Sequence, residues 1–208
     1  MNILSINLRG DRDSQKLDWI RGIKTSQGVH FLCVQETKIS NSEGFLFNQM
    51  WGKSAFKLAS VDSHGRSGGL VSLWNPTVFS EIETIKHRYF LCVCGFLIPS
   101  GIRLNLVNVY VPNDASWRKA LRSELLLLRN SRQGLWVFWG DFNDARKPEE
   151  RLNSEFVAAN VEAFNDFILS AALYEYDMGG AKYTYISDRG AKLSKLDRFL
   201  ECIRFLEN

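Results

Sequence analysis

Polar residues that can handle a phosphate ester or a hard metal ion recur where apolar runs end. Gly140, Asp141, Phe142 and Asn143 directly follow the run Leu135 to Trp139. Asp141 and Asn143 then lie two residues apart at a sheet's edge, with Phe142 free to anchor the turn in the core. A carboxylate beside a carboxamide can orient a water and hold a phosphate oxygen, although the same four residues also read as an ordinary Asx turn. Glu36 follows Phe31 to Gln35 and precedes Thr37 and Lys38. A carboxylate there suits Mg²⁺, which takes one or two carboxylates and keeps several waters; a solvated strand-end Glu is the plainer alternative. Asn7 closes the first apolar run, and Tyr110 closes Leu104 to Val109. Singly these are turn chemistry and core packing. Four polar residues at the ends of four strands, however, are how a rigid scaffold assembles a site. Asp197 sits inside the alternating stretch Ser194 to Leu200, where its partner is either the chemistry of a site or the neighbouring cations Lys195 and Arg198.

The elements that must position these residues follow from hydrophobic periodicity. Strands are expected at Asn2 to Ile6, Phe31 to Gln35, Gly69 to Trp74, Phe90 to Ile98, Leu104 to Val109 and Leu135 to Trp139. Phe90 to Ile98 and Leu135 to Trp139 are apolar on consecutive positions, as strands covered on both faces are. Helical stripes appear at Leu17, Ile20 and Ile23, and at Trp117, Leu121, Leu125 and Leu128 after Asn113 and Asp114 as N-cap candidates. A third helix is expected from Phe156 to Ala171, with Phe156, Val157, Val161, Phe164, Phe167 and Ile168 on its apolar side. Such an alternation predicts a four-layer α/β sandwich, two packed mixed β-sheets flanked by helices. No internal repeat or low-complexity tract is seen.

The 208 residues suit a single domain, and 45% hydrophobic content is enough to offset chain entropy. A net charge of +3 tolerates a polyanionic partner without implying one, because the basic residues are spread along the chain. Cys33, Cys92, Cys94 and Cys202 form no CxxC pair and read as reduced, mostly buried thiols, with Cys92 and Cys94 on one strand face. Residues Met1 to Gly10 lack the basic and long apolar regions of a secretory signal, and no run approaches a membrane span. The expectation is an intracellular protein, compatible with the nucleus and not secreted.

Taken in order, strand-end Asn7, Val34-Gln35-Glu36-Thr37, Asn108-Val109-Tyr110-Val111-Pro112, Gly140-Asp141-Phe142-Asn143 and Leu196-Asp197-Arg198-Phe199 resemble the endonuclease/exonuclease/phosphatase superfamily. Within it the chain looks like the apurinic-endonuclease-like domain of plant non-LTR (LINE-type) retrotransposons, to which Ser67-Gly68-Gly69-Leu70, Glu150-Arg151-Leu152-Asn153 and Tyr183-Thr184-Tyr185 are also similar. The likeness covers nearly the whole chain. It implies Mg²⁺-dependent hydrolysis of a phosphodiester in double-stranded DNA by in-line water attack, with Mn²⁺ as a substitute metal and no obligate protein partner. Glu36 would ligate the metal, Asp141 would activate or orient the water, Asn7 and Asn143 would bind the phosphate, Tyr110 would donate to a phosphate oxygen, and Thr184 would contact DNA.

In that family Asp197 orients a histidine in a Ser-Asp-His segment before the final strand. Here His30, His64 and His87 all precede Asp141. The expectation is therefore a domain incomplete at its C-terminus, lacking the last strand and impaired in catalysis. The alternative is an inactive nucleic-acid-binding remnant of a retroelement, and a third, lower-ranked reading is hydrolysis of a small phosphate ester.

Overall fold

The structure, a computed structural model, describes residues 1–38, 44–64, 67–177, 179–187 and 190–207. The chain divides into two compact units, Met1–Tyr110 and Val111–Asn208.

The first unit begins with β1 (Ile3–Asn7), α1 (Ser14–Ser26), β2 (Phe31–Gln35), α2 (Gly44–Trp51), β3 (Lys57–His64) and β4 (Ser67–Trp74). The four strands form a mixed sheet in the order β1-β2-β4-β3, with β1 and β2 parallel and the other pairs antiparallel. Every residue of β2 is buried because the strand is covered on both faces. Leu32 and Val34 turn toward α1 and α2 and join Leu17, Ile20, Phe47, Met50 and Trp51 in one core. On the other face Phe31 stacks on Trp74 at 5.6 Å and meets Phe79 edge-on at 5.8 Å. That face packs against an antiparallel ladder of β5 (Phe79–His87), β6 (Phe90–Leu97) and β7 (Ile102–Tyr110). Three of the expected layers, two packed sheets and the helices outside the first of them, are thus present within this unit.

The second unit contains α3 (Ala115–Asn130), β8 (Leu135–Asp141), a 3₁₀ turn (Pro148–Glu150), β9 (Arg151–Leu152) and α4 (Ala158–Ser170). It continues with β10 (Leu173–Glu175), β11 (Tyr185–Ile186), β12 (Leu193–Ser194), β13 (Asp197–Cys202) and a terminal 3₁₀ turn (Ile203–Glu207). β13 runs antiparallel between β10 and β8, and β12 links β11 to β9 in a small ladder. The Asp114 carboxylate accepts from the Ser116 and Trp117 amides, which makes it the N-cap of α3, one of the two residues anticipated.

Several sequence expectations change. Trp117 is 56% exposed and lies off the buried stripe of α3, which consists of Leu121, Leu125 and Leu128. Phe156 and Val157 precede α4 instead of lining it, and both are 40% exposed because the helix starts only at Ala158. β8 runs two residues further than its apolar run, since Gly140 and Asp141 pair with Arg198 and Asp197 of β13. The first strand is shifted by one residue, so Asn7 is its last member. Helix α2 and strands β3, β5 and β9 to β13 have no counterpart among the expected strands and helices, although the alternation from Ser194 to Leu200 that surrounds Asp197 becomes β13. The four cysteines are free and buried, and Cys92 and Cys94 share a face with their sulfurs 3.6 Å apart. No helix among the described residues is long and apolar enough to cross a membrane.

Candidate active site

In the first unit the structure brings Asn7 and Glu36 together, because β1 and β2 are parallel neighbours and both residues lie at the same end. Asn7 Nδ2 donates to Glu36 Oε1 at 2.9 Å, and Asn7 Oδ1 accepts from the Arg9 amide at 2.9 Å. The two segments continue side by side: the Leu8 amide donates to the Gln35 carbonyl and the Gly10 amide to the Glu36 carbonyl. Their backbone is contorted. Arg9, Glu36 and Lys38 have φ near +50°, a region that costs a non-glycine residue about 1–3 kcal/mol and persists only where surroundings enforce it.

Part of that enforcement comes from Gly68 and Gly69, whose carbonyls accept from the Lys38 and Thr37 amides at 3.2 Å. Gly69 has φ +87°, and a Cβ there would stand 2.5 Å from Thr37 Oγ1. The Ser67-Gly68-Gly69-Leu70 motif is thus the seat of the Glu36 loop, a role its sequence did not reveal. Beneath it, buried Gln35 Nε2 donates to Ser5 Oγ at 3.0 Å and Asn108 Oδ1 at 2.6 Å. Asn108 Nδ2 in turn donates to the Val71 carbonyl at 3.0 Å, so an amide pair pins the strand that presents Glu36 to the second sheet of its unit. Tyr110 ends β7, half-buried, with its amide on the Tyr89 carbonyl.

In the second unit the structure brings together Asp141, Asn143, Asp197 and Thr184. The Asn143 amide donates to Asp141 Oδ1 at 2.9 Å, with Asn143 at φ +52°, so the Asx turn anticipated as the plain reading is present. Asn143 Nδ2 donates to the Val111 carbonyl at 2.6 Å and the Val111 amide to the Asp141 carbonyl at 2.8 Å. Phe142 is buried against Phe164, as its anchoring role requires. Asp197 stands directly opposite Asp141 in the antiparallel register, which puts both carboxylates on one face. Thr184 Oγ1 accepts from the Leu196 and Asp197 amides, both at 3.0 Å.

The ion pair weighed for Asp197 takes a different form: Lys195 and Arg198 both pair with Glu175, at 2.7 and 2.8 Å. Burial alone would raise the Glu175 pKa, but Arg198 foremost, with Lys195 and Arg146, outweighs it and holds the group at about 2. Arg198, itself fully buried, also pairs with Glu150. Asp144, next to the Asn143 turn, binds Arg118 and Arg122 of α3. Burial pushes its carboxyl up in spite of these cations and the Arg122 guanidinium down. Sequence reading missed Asp144, Glu175, Arg118 and Arg122, since their ion-pair partners lie 20 or more residues away.

A divalent metal can be tested against the donors. Glu36 is a hard carboxylate whose one oxygen is held by Asn7, leaving lone pairs for an ion. Among the described residues no three His, Cys, Asp or Glu side chains converge. That donor set fits Mg²⁺, which retains waters and shares its coordination with substrate phosphate, and does not supply a closed zinc cage.

No family model matches the sequence, and no curated protein matches it. Solved structures do. The AP endonuclease LMAP from Leishmania major is 15% identical over 99% of this chain and 79% of its own, with a TM-score of 0.75. The APE2 catalytic domain of Xenopus laevis is 13% identical over 100% of this chain and 84% of its own, with a TM-score of 0.74. The endonuclease domain of TRAS1, a telomere-specific non-LTR retrotransposon, is 14% identical over 99% of this chain and 86% of its own, with a TM-score of 0.64. At these identities the likeness speaks for the fold.

Proposed function

We propose that this chain, whose fold is that of the endonuclease/exonuclease/phosphatase superfamily, is a Mg²⁺-dependent phosphodiester hydrolase that nicks double-stranded DNA inside the cell. The observation that carries the proposal is the Asn7–Glu36 hydrogen bond on a loop of left-handed backbone, a carboxylate held in place at an energetic cost. Glu36 would hold the metal, whose charge there would polarise a phosphoryl oxygen. Asp141 accepts a proton from, or orients, the attacking water; its Oδ1 is already set by the Asn143 amide. Asn7 and Asn143 would bind phosphate oxygens through their side-chain amides, which Glu36 and the Val111 carbonyl orient. The Tyr110 hydroxyl would donate to a phosphate oxygen.

The test is nicking of supercoiled plasmid by the 208-residue chain with Mg²⁺, beside Glu36→Gln and Asp141→Asn and a version extended by a Ser-Asp-His segment. Nicking by the parent that falls about 100-fold or more in either variant supports the proposal. Salt-dependent DNA binding with no Mg²⁺-dependent nicking by the parent would replace it with the nucleic-acid-binding reading. Preferential turnover of a soluble phosphate ester would instead point to a phosphatase.

A further inference from the structure

We propose that Thr184 and Arg198 are positioning residues that hold Asp141 and Asp197 in register from two sides; the inference rests on reading those two aspartates as site residues. Asp141 and Asp197 stand directly opposite each other on β8 and β13, so whatever fixes the register of these two strands at that pair also fixes how the two carboxylates sit.

Thr184 supplies one fixing. Its hydroxyl oxygen takes the Leu196 and Asp197 amides at once, which uses both lone pairs and leaves only the hydroxyl hydrogen to give away. The Leu196 carbonyl in turn accepts from the Phe142 amide at 3.0 Å, so the hold on β13 passes to the turn that carries Asp141 and Asn143. As an acceptor toward DNA, Thr184 is already occupied.

Arg198 supplies the other. Alternation along β13 sends its side chain to the face opposite Asp197, into the interior, where it is 2% exposed. Its guanidinium donates to the Asp144 carbonyl at 3.0 Å and the Lys195 carbonyl at 3.1 Å, and its charge is met by Glu150 and Glu175. One planar group therefore ties the backbone just beyond Asn143 to the backbone just before Leu196. Lysine carries the same charge but lacks the fork that reaches two carbonyls and two carboxylates together.

The decisive measurement is amide hydrogen exchange, read by NMR on the 208-residue chain without DNA or metal. Thr184→Val keeps the side-chain shape and removes the acceptor, whereas Thr184→Ser restores it. Leu196 and Asp197 amides lose their own partner in Thr184→Val, so the informative amides are Phe142 and Asn143, whose partners are untouched. We expect these two to exchange about tenfold faster in Thr184→Val and in Arg198→Lys, with amides of β2 and β6 unchanged and Thr184→Ser close to the parent. Parent-like exchange at Phe142 and Asn143 in Thr184→Val would overturn the inference even if Arg198→Lys did not fold. Where the parent nicks plasmid, Thr184→Val should lower kcat and leave KM unchanged; a raised KM alone would make Thr184 a DNA contact. A parent that does not nick removes the proposed function, while the exchange experiment still decides the positioning role.

Discussion

Replacing Glu175 by Gln probes the charge cluster behind Asp197. The carboxylate is 9% exposed and faces Arg198, Lys195 and Arg146, and its pKa falls from the ordinary 4.5 to about 2. Because the folded value is depressed, the stabilisation is fully present above pH 4.5 and is lost as pH falls toward 2. At about 1.4 kcal/mol per pH unit, that depression corresponds to at most about 3.5 kcal/mol. Glu175→Gln should therefore be less stable than the parent at pH 7 by up to about 3.5 kcal/mol, and the gap should close as pH approaches 2. Arg198 keeps Glu150 in the variant, while Lys195 and Arg146 lose their ion pairs with Glu175 as well. Urea unfolding followed by circular dichroism at both ends of the window measures the gap. A variant as stable as the parent at pH 7, or a gap that persists undiminished at pH 2, would refute the reasoning.

Gly69→Ala should destabilise the first unit by about 1–2 kcal/mol from the left-handed backbone alone, and more from the clash with Thr37 Oγ1. Because that clash displaces the segment after Glu36, nicking should also shift to a higher Mg²⁺ requirement, read by titrating the metal. Asp114→Ala removes the acceptor for two amides at the start of α3 and should cost about 1 kcal/mol in urea unfolding. Phe164→Ala empties the space against Phe142 and beneath Arg198 and should cost about 3–5 kcal/mol, with near-UV circular dichroism lost early in the transition. A loss below 1 kcal/mol there would mean that the site collapses without strain.

Periodicity and strand-end chemistry made much of this legible in the sequence. Runs apolar on consecutive positions marked β6 and β8 as strands buried on both faces, and Asn113 and Asp114 announced the start of α3, because these signals are local. The same local logic put Asn7, Glu36, Tyr110 and Asp141 at strand ends, since a polar residue that closes an apolar run leaves the core where the strand does. Helix α2, with apolar residues on most of its positions, carried no dominant period, and the alternation from Ser194 to Leu200 was too charged to mark β13 as a strand.

What only the tertiary structure decided is pairing. Asp141 faces Asp197 because of an antiparallel register that no spacing encodes. Lys195 and Arg198 both meet Glu175, Arg198 because alternation along β13 turns it to the face opposite Asp197, where burial rewards a fully met charge. Gly69 matters through Thr37, 32 positions earlier in the chain, where a missing Cβ makes room for a neighbouring loop. The sequence by itself determined which side chains could do chemistry and where strands would end, because those follow from local polarity. Which groups meet depends on register and close packing between distant segments, and those contacts exist only once the chain has folded.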